Sequence, residues 1–324
     1  MTKLERKIIT SIPIAFILNK SKHWYLPGFE GVPLYDVVRF FYRQVKTVGL
    51  TERASAIAYN FIMAIPPSFL FLFTLIPNLP FIKKREILKQ LSLIIKDIIP
   101  AEGYNGAIIT FIEKTFFKTQ VFGLLSFGLL LALFFASNAM MGLMRSFNKN
   151  YHGFERRVGL HSRWIAIRLT VLIFGLVMGC VVILITQGAF LKFFGLRSAF
   201  WLALILYLRW LVIIALIFYS IAFIYKYAPA VQKKWKLVSP GTILATFLCI
   251  IASLGFSSFV NAFGRYNALY GSIGTIIVLM ALVFINSLVL LIGFELNVSI
   301  KTLKARAVQR DAKEKLQLAK QNNT

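Results

Sequence analysis

The chain has 324 residues, of which 58% are hydrophobic and only 15% are charged. Its mean hydropathy is +0.73, and its formal net charge is +25. Such apolar character excludes an ordinary soluble globular protein. The positive charge does not require a nucleic-acid partner, because membrane proteins concentrate Lys and Arg in their cytoplasmic loops.

Residues 1–53 are predicted to form a cytoplasmic N-terminal segment. Within it, Leu34–Val48 carries an apolar stripe beside Arg39, Arg43 and Lys46. This pattern is typical of an amphipathic helix that lies on the inner surface of a membrane.

Six apolar runs follow, and each is long enough to cross a bilayer, which takes about 20 helical residues. They are too uniformly apolar for barrel strands, whose side chains alternate. Because lipid offers no hydrogen bonds to the backbone, the runs must be helices. We therefore predict an all-α, polytopic membrane bundle of six transmembrane helices within residues 54–300. The runs are Ala54–Pro77, Val121–Met144, Ile165–Phe190, Phe200–Tyr225, Thr242–Phe263 and Ser272–Ser299.

The distribution of positive charge predicts the orientation. Four segments that fall on one side of the six runs contain 25 Lys and Arg residues, against ten on the other side. The positive-inside rule then places both termini in the cytoplasm. Residues 301–324 are predicted to be a basic cytoplasmic tail that extends the last helix. The basic face is expected to attract the anionic headgroups of membrane lipids.

The long connection 78–120 lies on the predicted outer side. Apolar residues recur at helical spacing in Phe81–Ile99, with polar residues on the opposite face. This predicts an amphipathic helix at the membrane interface, which would act as a lid over the helix ends or as a gate.

Polar residues inside the runs are candidate binding residues, because intramembrane charge is expensive and usually functional. Arg209 follows roughly nine apolar residues, or about 13 Å of helical rise, and so lies near mid-membrane. It is expected either to reach the interface or backbone carbonyls, or to bind an anionic group. The successive prolines Pro66 and Pro67 are expected to break or kink the first span, as broken helices do in transporters. Asn60 and Asn286 add polarity.

A second group lies near the predicted cytoplasmic ends of the spans and consists of Glu52, Arg53, Arg168 and Glu295. Glu295 is the only acidic residue within the six runs. It is expected either to form an ion pair with an arginine that holds helices together, or to couple transport to protons.

Catalytic patterns are missing from the sequence. It has no nucleotide-binding loop of the GxxxxGK type, no metal-ligand spacing among its three histidines, and only scattered carboxylates. We therefore expect no enzyme, no metal, no cofactor and no specific nucleic-acid partner.

Short motifs at the ends of the spans carry a family resemblance. They are Ala58-Tyr59 before the prolines, Asn148-Lys-Asn-Tyr151, Tyr225-Lys-Tyr-Ala-Pro229, Ser239-Pro-Gly241, Tyr266-Asn-Ala-Leu-Tyr-Gly-Ser272 and Gly293-Phe-Glu-Leu-Asn297. In this order and spacing the chain resembles the YihY/virulence factor BrkB family from about Leu34 to Ile300. The resemblance implies a bacterial inner-membrane protein of about six spans. Family members once carried the label ribonuclease BN, which is regarded as mistaken, and the resemblance supplies no catalytic residues.

Two functions are expected from these features. The first is a transporter or flippase-like protein for a lipid or amphipathic anion of the cell envelope, with Arg209, Asn60, Pro66, Pro67 and Asn286 at the substrate. The alternative is a scaffold that does not transport and that docks envelope proteins on its basic face. A membrane nuclease is the least favoured reading.

Overall fold

The computed structural model describes most of the chain outside one long connection. The described ranges are 20–75, 122–148, 159–193, 199–231, 234–262 and 266–321, together with isolated residues between 76 and 121. Most of the predicted outer segment 78–120 therefore lies outside the described residues, and its amphipathic helices stay a prediction.

Seven helices make up the described fold, and no β-strand occurs within those ranges. Their bounds are α1 (Leu34–Thr47), α2 (Leu50–Leu75), α3 (Phe122–Phe147), α4 (Leu160–Phe193), α5 (Ala199–Tyr227), α6 (Pro240–Ala262) and α7 (Tyr266–Gln321). Helices α2 to α7 coincide with the six predicted runs, and the all-helical prediction is confirmed.

Five of the described helices, α3 to α7, are long and apolar enough to cross a membrane. The first predicted span, α2, has 26 residues, which is sufficient length, but it is not among those five. It carries Glu52 and Arg53 in its first turn. A total of six spans therefore stays a prediction.

Helices α2 to α7 form a closed ring. Each one packs against its neighbours in chain order, and α7 closes the ring by packing against α2. The ring supports counting α2 with the other five, because it has the same two-neighbour packing as they do. Hydropathy alone does not predict such an order, since it identifies spans but not their partners.

Helix α1 and the residues before it dock on α7 around Ile300. Phe29, Val32 and Val37 are buried against Ile300. Glu30 forms ion pairs with Lys301 and, at 3.0 Å, with Lys304. A helix occupies the predicted stretch 34–48, with Val37 on its buried side, and its location on a membrane surface stays a prediction. The N-terminal segment and the extension of α7 thus share one side of the ring, and its assignment to the cytoplasm stays a prediction.

The same end of the ring is closed by an aromatic layer. Phe147 of α3 stacks on Phe294 of α7 with ring centroids 4.0 Å apart. Tyr225 packs edge-on against both rings, and Trp235 stacks on Phe294. The Tyr225 hydroxyl donates a 2.6 Å hydrogen bond to the carbonyl of Leu290, so its one polar group is paired.

Helices α6 and α7 approach most closely beside this layer. A Cβ placed on Gly293 would lie 2.6 Å from the Ala245 Cβ and 2.6 Å from the Gly241 carbonyl oxygen. Only glycine permits that distance. The Asn297 side chain accepts a 2.9 Å hydrogen bond from the Gly241 amide and donates one of 2.9 Å to the Ser239 hydroxyl. We call this region, from the aromatic layer to these contacts, the packed end.

The expected break at Pro66 and Pro67 does not occur. Helix α2 runs through both prolines to Leu75. Each proline removes one hydrogen bond to the carbonyl four residues earlier, and the helix continues on either side of this two-bond gap. Membrane helices tolerate such losses when the surrounding helices hold them in place.

Candidate functional site

A central cavity of about 500 Å³ lies inside the ring, and all six helices α2 to α7 contribute to its wall. Its lining residues are Phe61, Ala64, Ile65, Ser68, Ala136, Ala139, Met140, Thr170, Ile173, Phe174, Val177, Leu216, Ile217, Ser220, Ile221, Ile224, Cys249, Asn286 and Leu290. We call this space the central cavity.

The central cavity begins directly beyond the packed end. On α7, Asn286 in the wall lies nine residues before Glu295, which is about 14 Å of helical rise. On α5, Ile224 lines the cavity and the next residue, Tyr225, belongs to the aromatic layer. The cavity therefore has a closed floor on the side that carries the N-terminal segment.

The wall is predominantly apolar, and its most polar side chain is Asn286, with Ser68, Thr170, Ser220 and Cys249 as its other polar residues. The Asn286 carbonyl oxygen accepts a hydrogen bond from the Cys249 thiol at 2.8 Å. Its amide donates to the Leu282 carbonyl at 3.0 Å and lies 3.4 Å from the Ser253 hydroxyl. Thr170 turns its hydroxyl to the Ala166 carbonyl of its own helix at 2.8 Å, so it adds little polarity to the wall.

The structure places the expected substrate residues in different surroundings. Asn286 lines the central cavity. Pro66 and Pro67 stand between the wall residues Ile65 and Ser68 but do not themselves line the cavity. Asn60 donates a 2.7 Å hydrogen bond to the Ala56 carbonyl and lies against Gly142, leaving no room for a Cβ there.

Arg209 is buried, with 6% of its surface exposed, but it is not in the described wall of the cavity. It lies seven residues before Leu216, or about 10 Å farther along α5, away from the packed end. The residues that follow it, Val212 and Ile213, pack on Cys180 and Leu184 of α4. The structure therefore does not bring Arg209 and Asn286 together around one point.

Glu295 is fully buried and accepts a 2.7 Å hydrogen bond from the Arg53 guanidinium. A second nitrogen of Arg53 donates to the Ser146 carbonyl. This buried ion pair joins α2, α3 and α7 at the packed end. Removing one partner of such a pair typically costs about 3–5 kcal/mol, because the other charge is left buried.

The other two residues of that predicted group lie apart from the pair. Glu52 is exposed in the first turn of α2. Arg168 is exposed on α4, with its guanidinium 5.4 Å from the centre of the Trp164 ring. The partner of Glu295 is thus Arg53 rather than Arg168.

Two residues that contact Asn286 were not selected from the sequence. These residues are Cys249 and Ser253 of α6. They stand one turn apart on α6 and so face the same direction. The spacing of four residues indicates a small polar face on α6. It does not indicate which helix lies opposite that face.

Within the described ranges, no group of three or more His, Cys, Asp or Glu side chains could hold a metal ion. The closed ring of long apolar helices around an apolar cavity defines a polytopic membrane protein. More particularly, the model of the family "Virulence factor BrkB" matches residues 41–317, and the chain belongs to this family.

Several curated bacterial proteins are similar over most of their length. The ribonuclease-like protein YfkH of Bacillus subtilis is 30% identical over 249 residues, which cover 76% of this chain and 88% of YfkH. A UPF0761 membrane protein of Tolumonas auensis is 25% identical, over 86% of this chain and 89% of the relative. Another, from Chromohalobacter salexigens, is 27% identical, over 76% and 58%. No solved structure matches the chain. The chain is accordingly a multi-pass bacterial membrane protein.

Proposed function

We propose that this protein is a transporter or flippase-like protein that accommodates a lipid or another amphipathic anion of the cell envelope in the central cavity. The observation that carries the proposal is the cavity itself, a predominantly apolar space inside the ring with a polar contact between Asn286 and Cys249 in its wall. Ligand sites in proteins commonly enclose about 300–1,000 Å³ and combine apolar walls with a few placed polar groups.

The closed floor supports a cycle in which access alternates. Transporters expose a site near mid-membrane first to one side and then to the other. In the described conformation the packed end blocks the side of the N-terminal segment. Opening toward that side would require Phe147 of α3 and Tyr225 of α5 to separate from Phe294 of α7, or α6 and α7 to separate from each other.

In this proposal Arg209 attracts the anionic group of the substrate, at a level about 10 Å beyond the cavity wall on α5. A charge held within a membrane bundle is a functional hypothesis by default. The apolar part of the substrate would occupy the central cavity and its polar linkage would reach Asn286. No catalytic step is part of the proposal.

Filling the cavity tests the proposal. Ala139→Phe places an aromatic ring into the wall, whereas Ala56→Phe places the same ring on an exposed position of α2. In liposomes that contain purified protein, we expect the translocation of fluorescent phospholipid analogues to fall by about tenfold or more in Ala139→Phe. The Ala56→Phe control should keep the wild-type rate. Equal rates in both variants would contradict the cavity as the substrate path.

A chemical block avoids the question of whether Ala139→Phe folds. In a Cys180→Ala background, Cys249 is the remaining cysteine of the chain, and a small apolar thiol reagent can be added to the folded protein. Modification of Cys249 should stop translocation, and Cys249→Ala should be insensitive to the reagent. Full translocation by fully modified protein would reject the proposal.

A scaffold remains the second candidate because Arg209 does not lie in the described cavity wall. Its docking surface would be the extension of α7, which continues to Gln321 and is largely exposed beyond Leu303. Truncation after Leu303 separates the two functions. A scaffold would lose its envelope phenotype on truncation, whereas a transporter would keep its lipid translocation.

A further inference from the structure

A second cavity, of about 380 Å³, lies on the side of the ring that carries the N-terminal segment, between α4 and the region where α5 ends. It is lined by His161, Ile165, Arg168, Leu169, Leu172, Tyr227 and Lys234. We call it the basic groove. It shares no lining residue with the central cavity.

The two cavities use different faces of α4. The groove residues of α4, from His161 through Arg168 to Leu172, recur at intervals of three and four residues and so form one stripe. Thr170 and Ile173 face the central cavity instead. Each of these directly follows a groove residue, and successive residues on a helix point about 100° apart. The groove therefore opens on a different face of α4 from the central cavity.

The exposed end of the groove is polar, and its wall along α4 is apolar apart from Arg168, which directly precedes Leu169. His161 and Lys234 are exposed near the start of α4 and in the connection after α5. Leu169 and Leu172 lie deeper along α4, by about 12–17 Å of helical rise from His161. A site of this form matches an amphipathic ligand whose charged group stays at the membrane surface.

Aromatic rings flank the cations of the groove. The Lys234 ammonium lies 5.1 Å from the centre of the Tyr227 ring, and Lys226 lies 5.4 Å from the same ring. The Arg168 guanidinium stands 5.4 Å from the Trp164 ring. These distances allow cation–π attraction, which holds the positive groups near the groove without neutralising their charge.

No described acidic side chain lines the groove. The acidic residues that the structure describes are Glu30, Asp36, Glu52, Glu295, Asp311 and Glu314. Glu30 pairs with Lys301 and Lys304, and Glu295 pairs with Arg53. Among the described residues, no ion pair involves Arg168 or Lys234, and both cations line the groove.

We propose that the basic groove binds an anionic phospholipid, with the headgroup phosphate between Arg168 and Lys234 and an acyl chain along Ile165, Leu169 and Leu172. The charge complementarity favours a phosphate group. The apolar floor on a membrane-spanning helix favours a lipid over a soluble phosphate compound. Basic pockets between membrane helices recognise anionic headgroups in this way. The inference does not depend on transport through the central cavity.

Competition between lipids tests it directly. Purified full-length protein in detergent is incubated with phosphatidylglycerol and phosphatidylcholine of identical acyl chains, and the bound lipid is counted by native mass spectrometry. We expect the wild-type protein to retain phosphatidylglycerol preferentially. The double variant R168Q/K234Q should lose on the order of tenfold of that retention, since each cation near a membrane surface contributes to the binding of anionic lipid.

The matched control is R310Q/K313Q, which removes the same two charges from exposed positions on the extension of α7. It should retain phosphatidylglycerol as the wild-type protein does. The single variant K234Q changes only the connection after α5, so it should fold normally and show part of the loss. Unchanged retention in R168Q/K234Q, or an equal loss in the control, would overturn the proposal.

Competition with inorganic phosphate distinguishes a lipid site from a site for soluble phosphate. If millimolar phosphate removes the bound lipid from the wild-type protein, the groove is a site for soluble phosphate and the lipid assignment is wrong. If the lipid stays bound under these conditions and is displaced by short-chain phosphatidylglycerol, the apolar floor contributes as proposed.

Discussion

The packed end and the central cavity adjoin along the same six helices, yet their interiors are built differently. At the packed end, Phe147, Tyr225 and Phe294 lie in ring-to-ring contact, and α6 and α7 touch through Gly241 and Gly293. In the cavity, the same helices enclose about 500 Å³. Protein interiors are normally packed as densely as organic crystals, so the space between these helices differs from ordinary core packing.

The difference shows where the bundle obtains its stability. Polar groups at the packed end are paired across helices, as Arg53 with Glu295 and Asn297 with the Gly241 amide. In the cavity, Asn286 contacts Cys249 and Ser253 between α7 and α6, whereas the Thr170 hydroxyl bonds within its own helix. Among the described contacts, directional bonds between helices are therefore more frequent at the packed end.

The largest effect is expected from Glu295→Ala. Arg53 would remain buried at the packed end without its carboxylate, which should lower the free energy of unfolding by about 3–5 kcal/mol. Thermal unfolding of the purified protein in detergent measures this. The control Glu314→Ala lies on the same helix but is exposed, and it should change stability by less than about 0.5 kcal/mol.

The double variant Arg53→Met/Glu295→Leu separates charge burial from packing. Replacing both partners of a buried pair by apolar residues is often close to neutral, so this variant should be clearly more stable than Glu295→Ala. If the two variants unfold at the same temperature, the ion pair is not what stabilises the packed end.

A smaller loss is expected from Gly293→Ala. The new methyl group would meet the Ala245 Cβ and the Gly241 carbonyl at 2.6 Å, and overpacking of this kind costs about 1–3 kcal/mol. The matched control is Gly175→Ala on α4, where a Cβ meets nothing within 4 Å. That control should be neutral or gain up to about 1 kcal/mol, because alanine favours a helix. Equal melting temperatures would mean that α6 and α7 are not in close contact.

The spans themselves could be predicted from the sequence, because run length and apolar composition are sufficient to define a membrane helix. For α5, the prediction Phe200–Tyr225 lies within the observed Ala199–Tyr227. The closed ring could not be predicted, since all six runs are similarly apolar and neighbours are chosen by small residues and shape. Gly241 and Gly293 illustrate this, because their contact joins residues that are far apart in sequence.

The candidate site was predictable only in part. Asn286 could be recognised as an intramembrane polar residue, but its partners Cys249 and Ser253 depend on the facing of α6 and α7. Glu295 could be expected to pair with an arginine, yet Arg53 is separated from it by 242 positions. Pro66 and Pro67 were expected to break or kink α2, and the helix continues through both prolines, because the surrounding bundle overrides local propensity.

The cavity should tolerate added volume that the packed end does not. Ala139→Leu extends a side chain into the central cavity and should change the unfolding free energy by less than about 1 kcal/mol. Ala245→Leu makes the same exchange beside Gly293 and should destabilise by about 1–3 kcal/mol. Equal losses, measured by thermal unfolding in detergent, would indicate that the cavity is filled by packed side chains.

The smallest effect is expected where the N-terminal segment docks outside both regions. Burial raises the pKa of Glu30, but hydrogen bonds and charge from Lys301 and Lys304 outweigh it, so the pKa lies below its ordinary value of 4.5. The stabilisation is therefore complete above pH 4.5 and is lost as the pH falls through the lower, folded pKa. Because both lysines are half-exposed, the loss should be less than about 1 kcal/mol.

Hydrogen-exchange protection factors for Phe29 and Val32 should fall between pH 6 and pH 3 in the wild-type protein. In Glu30→Gln they should already be low at pH 6 and should change little with pH. If protection in Glu30→Gln instead depends on pH as it does in the wild-type protein, the ion pairs make no contribution. The apolar contacts of Val37 and Ile300 would then govern the docking.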